Sequence, residues 1–460
     1  MANGQSYSAG LEITDAYVKE APCQLTLAHL ENGAQNDFSA VLPEQRFPNG
    51  EEAQPPRTVS FRKAVPHIPS TTYGVFSLYR YPAKFIPQAV AYVIERYATR
   101  GSSVIDPFAG SGTTGLVARL YGLDYELWDL NPLLDILHRI AVMRPLPLRL
   151  TEVVDAFKYS DREWLPQWSR LHYWYPEAIR PLLSKVWGYY HSIEEEALRL
   201  FVTVPLLKVT KQFSYNDPQR QKLSRSPKAL ARVETLIQSD YEKRFFDFLT
   251  EELNQVICKI HEYQSLLGEI QAPQSRVIAG ANSLTVAQNL PPEAQWDMLI
   301  TSPPYLQAQE YIRCSKLDLL WLGYTEEQVR ALAKEELPYK KVEPCPIYSA
   351  TYESIRAQIH EAHLRSVYEQ YFYAVLGTLS RLAEHVQRYM CLFVGQATVR
   401  GKRVPIDVIF AEHFQSLGWT HEATLIDTIE ARVLFKARIN PATGIEDHRM
   451  PTEHMVILRR

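Results

Sequence analysis

Between Ser102 and Asp129 a strand, a glycine-rich turn, a helix and a second strand follow one another without a gap, and no other stretch of the chain restricts the fold so sharply. Ser102-Ser103-Val104-Ile105-Asp106 is a short apolar run suited to a buried strand. The next residues, PFAGSGTTG, form a glycine-rich turn, and Thr114 to Leu120 then reads as a helix stopped by Gly122. Tyr125-Glu126-Leu127-Trp128-Asp129 is a second strand ending in an acid, broken by Asn131-Pro132. A β-turn-α-β unit of this kind opens a doubly wound α/β sheet. Ahead of it, Ile86, Val90, Val93, Ile94 and Tyr97 recur on one helix face, with Pro87 suited to the first turn.

The unit occupies a small part of 460 residues, of which 46% are hydrophobic and 22% charged, a balance that supports a large buried core. Residues 1–65 mix Gly, Asn, Pro and charges without a period and read as an irregular N-terminal arm. Residues 66–132 hold the unit above. From 133 to 270 long helical patterns such as YEKRFFDFLTEELNQVICKIHEYQSLL predict a mostly helical insertion. Strand signals resume at Arg276 to Ala279, Asp297 to Ile300, Tyr389 to Val394, Thr424 to Asp427 and Met455 to Leu458, so residues 271–460 are expected to complete the sheet. The fold class expected is α/β, a Rossmann-like doubly wound sheet carrying a helical insertion.

Two loops carry the chemistry. Gly110-Ser111-Gly112-Thr113-Thr114-Gly115 satisfies GxGxxG between a strand and a helix, where glycines let backbone approach a ligand and the helix N-terminus offers free N–H groups. Asp129, closing the next strand, can accept hydrogen bonds from both hydroxyls of an adenosine ribose. This points to a nucleoside-containing cofactor without saying which. The second loop, Thr301-Ser302-Pro303-Pro304-Tyr305, directly follows the apolar strand Asp297 to Ile300, at the sheet edge where doubly wound folds hold ligands. Consecutive prolines fix the backbone and lack N–H groups, so the turn presents rigid acceptors. Acceptors at Ser302 Oγ and the Pro303 carbonyl suit the N–H groups of an exocyclic nucleobase amine, and Tyr305 offers a flat face for an extruded base.

Together DPFAGSGTTG and TSPPY resemble the S-adenosylmethionine-dependent DNA amino-methyltransferases, which methylate N4 of cytosine or N6 of adenine. The resemblance covers most of residues 79–130 and 276–460. It implies that Tyr81-Pro82-Ala83-Lys84-Phe85, with Lys84 and Phe85, lines the methionine end of the cofactor. It further implies that Asp106, Phe108, Gly110, Gly112 and Thr113 belong to the main cofactor loop, and that Asp129 is the ribose-binding acid. Ile278 to Ser283 resembles the adenine-contacting segment, with Asn282 where the family usually has Asp. Ser302, Pro303, Pro304 and Tyr305 match the catalytic tetrapeptide, and Tyr311 to Gly323 the helix after it.

Ser at the head of the tetrapeptide is similar to the version mostly associated with cytosine N4, whereas Asp or Asn there is mostly associated with adenine N6. Cytosine N4 is therefore the favoured target, with adenine N6, or a catalytically inactive DNA-binding subunit of the same fold, as the alternatives. The cofactor loop precedes the catalytic loop, whereas family members with Ser-Pro-Pro-Tyr often show the reverse order. The mechanism implied is direct displacement: the flipped base's amine attacks the sulfonium methyl in line, then loses a proton. Ser302 is a poor base at its free pKa and is assigned an orienting role.

Net charge is only −3, so contact with double-stranded DNA needs a local basic patch. Lys208 to Lys228 holds six basic residues against Asp217, a local charge of +5, and makes Lys211, Arg220, Lys222, Arg225 and Lys228 the DNA-binding candidates. A smaller cluster is Arg400, Lys402 and Arg403. Pro344-Cys345 is similar to the nucleophile dipeptide of cytosine C5-methyltransferases, but its place in EPCPIY argues against that role. The five cysteines lack a CxxC pair and the 13 histidines lack an HExxH pair, so neither a disulfide framework nor a metal is expected. The N-terminus lacks a signal peptide pattern and no apolar run reaches about 18 residues, which predicts a cytoplasmic protein without a membrane span. A restriction or defence partner, if there is one, is expected as a separate chain.

Overall fold

The computed structural model describes residues 38–44, 55–82, 84–220, 222–267, 272–306, 310–337, 340–399, 402–428 and 452–460. The strands, in chain order, are β1 (Arg57–Thr58), β2 (Ser103–Asp106), β3 (Asp124–Asp129), β4 (Ser275–Ala279), β5 (Trp296–Thr301), β6 (Val386–Gly395), β7 (Ala397–Val399), β8 (Lys402–Val404), β9 (Thr420–Thr428) and β10 (Thr452–Arg459). Eight of them form one sheet in the order β1-β9-β10-β6-β5-β2-β3-β4, while β7 and β8 make a separate hairpin. The pairings β1–β9, β6–β5, β5–β2, β2–β3 and β3–β4 are parallel, and β10 alone runs antiparallel to its neighbours β6 and β9. This is the mixed α/β, Rossmann-like architecture expected from the sequence.

The alternation of side chains along each strand explains why the sheet is covered on both faces. Val104, Met298, Ile300 and Cys391 belong to one buried cluster, whereas Ile105, Leu299, Met390 and Leu392 belong to the other. The first cluster is sealed by the helices Pro87–Tyr97, Thr113–Leu120 and Leu133–Val142, the second by Ala362–Ala383 and Ile406–Ser416. Each such residue, fully buried, contributes about 1.5–3 kcal/mol, so the strands are held by packing as much as by their ladders.

From β2 the chain moves outward to β3 and, after the helical insertion, to β4, and then crosses to β5 and β6 on the other side. The crevice between the carboxyl ends of β2 and β5 is therefore the topological switch point, where open α/β sheets hold their ligands.

Between Leu133 and Leu267 the chain is mostly helical, ending in the long helix Tyr241–Leu267. Its Tyr263 hydroxyl donates to the Leu116 carbonyl across 2.7 Å, and its Glu262 accepts the Gly74 N–H at 2.9 Å. The aromatic residues Tyr175 and Trp187 pack on Trp321, which lies in the helix Tyr311–Trp321 after the catalytic loop. The helical segment thus shares the core of the first sheet face.

Three features depart from the sequence reading. Of the arm assigned to residues 1–65, residues 1–37 and 45–54 lie outside the described residues, but Arg57–Thr58 pairs with β9 and Phe61 and Val65 are fully buried. An apolar anchor too short for a periodicity signal holds this segment on the sheet edge. The hairpin β7–β8 contains Lys402 and Arg403, while Arg400 of the same basic cluster lies outside the described residues. Cys314, Cys345 and Cys391 are free thiols, but Cys258 is disulfide-bonded, where no disulfide framework was expected. No helix among the described residues is long and apolar enough to cross a membrane.

Candidate active site

A cleft of about 750 Å³, open mouth included, sits at the switch point and is lined from each of the segments expected to hold the cofactor and from the Ser302–Tyr305 turn. Tyr81, Lys84 and Phe85 enter from the segment before the helix Pro87–Tyr97, Phe108 and Gly110 from the turn after β2, Asp129 from the end of β3, Asn282 from the turn after β4, and Ser302 and Pro304 from the turn after β5. Residues separated by more than two hundred positions converge because parallel strands place all their carboxyl ends on one edge.

The acid at the end of β3 organises this edge. Asp129 Oδ2 accepts the Gly110 N–H at 2.8 Å, and Oδ1 accepts the Asn131 N–H at 2.7 Å and the Tyr81 hydroxyl at 3.4 Å. Burial pushes its carboxyl up to about 7, against the pull of the Asn131 and Gly110 N–H groups. Gly110 has φ +57°, and a Cβ there would meet Tyr81 Cε1 at 3.1 Å, so glycine keeps this wall of the cleft open.

Asp106, Gly112 and Thr113 lie behind the cleft wall. Asp106 is buried and accepts from the Phe108 N–H at 3.0 Å, the Thr114 hydroxyl at 2.5 Å and the Thr301 hydroxyl at 2.6 Å. It therefore pins the turn after β2 to the end of β5, the strand that carries the catalytic loop. Its own carboxyl rises to about 6 through burial, opposed by these three donors. Gly112, at φ +83°, precedes the helix Thr113–Leu120, of which Thr113 is the buried first residue.

Lys84 brings the cleft its cation. The ammonium lies 5.7 Å over the Phe76 ring, and among the described residues it has no carboxylate within ion-pair range. Burial, reinforced by Lys259, lowers its pKa to about 7. A partly desolvated amine without a counter-ion invites an anionic ligand group. Asn282 caps the helix Ser283–Gln288 by accepting the Leu284 N–H at 2.9 Å and donates to the Glu335 carbonyl at 2.6 Å. The position where the family usually has Asp thus braces one wall of the cleft.

In the Ser302–Tyr305 tetrapeptide Ser302 and Pro304 face the cleft, and Pro303 is buried. Tyr305 lies outside the cleft lining; its hydroxyl donates to Glu453 Oε1 on β10, and burial, strengthened by Glu453, raises the phenol's pKa.

Glu336 is a cleft residue that no motif disclosed. It accepts the N–H groups of Tyr311 and, at 3.4 Å, Ile312, capping the helix after the catalytic loop, and burial pushes its carboxyl up to about 7. Tyr311 stacks on Tyr81 with ring centroids 6.3 Å apart. An isolated glutamate in a loop has no sequence signature, so only the folded chain discloses Glu336.

The basic segment lies beside these elements. Asp217 N–H donates to the Ser224 carbonyl at 2.8 Å, closing a loop that touches the cleft margin twice: Arg80 donates to the Pro218 carbonyl at 2.5 Å, and Lys222 lies 3.7 Å from Glu310, the residue before the helix Tyr311–Trp321. Arg225 stacks between Tyr173 at 4.3 Å and Tyr215 at 4.7 Å, Arg220 lies 3.7 Å from Asp217, and Lys228 is exposed. Lys211 instead turns inward: its ammonium is 2.6 Å from the buried Asp318, which also accepts the Tyr79 hydroxyl at 2.5 Å. A basic residue close to the loop in sequence is thus used as a counter-ion. No group of His, Cys, Asp and Glu among the described residues could hold a metal ion.

Comparison with known proteins points to the same class. A DNA methylase family model, that of the N6/N4 enzymes, matches residues 24–132. The chain is 22% identical over 421 residues to the type II methyltransferase M.MvaI of Kocuria varians, an alignment covering 82% of this chain and 89% of that protein. It is 23% identical over 308 residues to the type II methyltransferase M.BsoBI of Geobacillus stearothermophilus, covering 60% and 58%. A shorter match, 39% identical over 61 residues, links 13% of the chain to 12% of the type II methyltransferase M.MjaII of Methanocaldococcus jannaschii. These similarities support a DNA methyltransferase of the N4/N6 family, a family whose members generally use S-adenosylmethionine.

Proposed function

We propose that this chain transfers a methyl group from S-adenosylmethionine to the N4 amine of a cytosine flipped out of double-stranded DNA. One observation carries the reading: Lys84, Gly110, Asp129, Asn282 and the Ser302–Pro304 turn all line a single cleft at the switch point.

The donor set fits the cofactor. Lys84 supplies a cation for a carboxylate, the Gly110 turn gives backbone access, and Asp129 supplies acceptors at the strand end where a ribose binds. When bound, S-adenosylmethionine supplies an electrophilic sulfonium methyl. The protein's own part is to bind and orient. Ser302 Oγ and the Pro303 carbonyl accept the amine N–H groups, turning the nitrogen lone pair toward the methyl. The rigid Pro-Pro turn holds that alignment, and the proton leaves to solvent after transfer. Orientation of this kind needs no metal and no covalent intermediate. Arg220, Lys222, Arg225 and Lys228 are the residues proposed to meet DNA phosphates at the cleft margin.

Ser302 favours cytosine over adenine because the resemblance associates serine there with N4. The test is to incubate the protein with unmodified bacterial DNA and labelled S-adenosylmethionine, digest to nucleosides and identify the product by mass spectrometry. N4-methylcytosine is expected. N6-methyladenine would overturn the base assignment and keep the reaction, while cofactor binding without any labelled nucleoside would point to an inactive DNA-binding subunit.

A further inference from the structure

We infer, on the amino-methyltransferase reading above, that Glu453 is a positioning residue for the catalytic loop, holding the Tyr305 phenol and through it the direction of the Ser302 hydroxyl. The contact joins residues 148 positions apart and depends on β10, the antiparallel strand that enters between β6 and β9. In that register Glu453 stands opposite Gly395 on β6 and Asp427 on β9. Arg62, from the short helix Phe61–Ala64, places its guanidinium 3.7 Å from Asp427. Among the described residues, the sheet edge beside this loop thus holds two adjacent acids, the Arg62 cation and the phenol that donates to Glu453.

The chemistry of serine gives this arrangement a purpose. A hydroxyl both donates and accepts, so Ser302 can accept an amine N–H cleanly only if its own hydrogen is directed elsewhere. With the phenol hydrogen committed to Glu453, the Tyr305 oxygen keeps its lone pairs free to receive that hydrogen. The same hydrogen bond fixes the plane of the ring. A carbonyl acceptor at this position, as in Asp or Asn, would need no such orienter.

The test uses the full chain as wild type, Tyr305→Phe, Glu453→Met, the double variant and Glu453→Gln, which keeps an acceptor oxygen. Methyl transfer to bacterial DNA gives kcat, and calorimetry gives cofactor affinity. Tyr305→Phe and Glu453→Met should each lower kcat about tenfold, equivalent to about 1.4 kcal/mol of barrier, with cofactor affinity unchanged within about twofold. The double variant should be no slower than either single one, and Glu453→Gln should recover part of the loss. Wild-type kcat in a folded Glu453→Met protein, or losses that multiply in the double variant, would overturn the inference. Tyr305→Phe removes the same hydrogen bond from the loop side, so a Glu453→Met protein that fails to fold does not end the test. A wild-type protein that methylates no nucleobase would sink the functional reading alone. The clamp is then decided by 3-fluorotyrosine at position 305, whose fluorine resonance must shift on Glu453→Met; an unchanged resonance overturns it.

Discussion

The backbone N–H of Gly110 donates to the carboxylate of Asp129 across 2.8 Å, tying the turn after β2 to the end of β3 at the floor of the cleft. One carboxylate therefore shapes the loop and, on the proposed function, receives the ribose. Asp129→Ala should weaken S-adenosylmethionine binding roughly 10–100-fold, since hydrogen bonds to a charged group are worth about 1.5–3 kcal/mol. Calorimetric titration checks this, and an unchanged affinity in a folded variant would remove Asp129 from the cofactor site.

Ser302→Ala should leave cofactor affinity within about twofold of wild type and lower kcat on DNA on the order of 10²-fold, the scale on which lost alignment of reacting groups is felt. Parallel loss of binding and turnover would undercut the division of labour between the turns after β2 and β5.

Gly115 is the third glycine of the turn, and a Cβ built on it would lie 2.7 Å from Leu127 and Tyr125 side-chain atoms of β3. Gly115→Ala should therefore destabilise the fold by about 1–3 kcal/mol, the usual cost of overpacking. Thermal melting in the absence of cofactor measures it, and a wild-type Tm would show that the helix can lift off the sheet without loss.

Lys84 makes cofactor binding depend on pH. Its folded pKa of about 7 lies below the ordinary value of 10.5. In the free protein the unfolded chain binds more protons between these values, so this group's contribution to stability rises with pH across that window. A bound carboxylate favours the charged amine, so binding takes up a proton above pH 7 and affinity falls as pH rises. From pH 7 to 8.5 the Kd should increase about tenfold, and Lys84→Met should remove that rise, leaving only the opposite trend of Asp129, whose carboxylate accepts better as it ionises near pH 7. A wild-type affinity flat over this range would exclude Lys84 as the carboxylate's partner.

Lys211 and Lys228 should behave differently although both lie in the basic segment. Lys211→Met leaves the buried Asp318 without its cation and should cost about 2 kcal/mol, less than the 3–5 kcal/mol of a fully buried pair because Lys211 is itself partly exposed. Lys228→Ala should leave the melting temperature unchanged and reduce the salt slope of DNA binding by about one. Chemical denaturation and binding titrations over a range of salt separate the two. Equal effects on DNA binding would return Lys211 to the interface.

How much was legible beforehand differs from element to element. The β2-turn-β3 unit could be read because apolar runs, glycines and a closing acid all lie within thirty residues, and local signals survive when neighbouring residues decide the structure. β1 and the hairpin β7–β8 were missed because strands of two or three residues carry no period. The acids Asp318, Glu336 and Glu453 gave no signal either, since their partners lie between 24 and 239 positions away.

The sequence by itself determined the class of fold and the two loops that come together in the cleft, because turn chemistry and strand period are local properties. Tertiary structure alone decided that Lys211 serves Asp318 rather than the surface, that Glu336 closes the cleft, and that Tyr305 answers to Glu453. Those choices depend on which strand ends and helix termini become neighbours after the sheet has closed, and pairing across the fold is set by packing rather than by spacing along the chain.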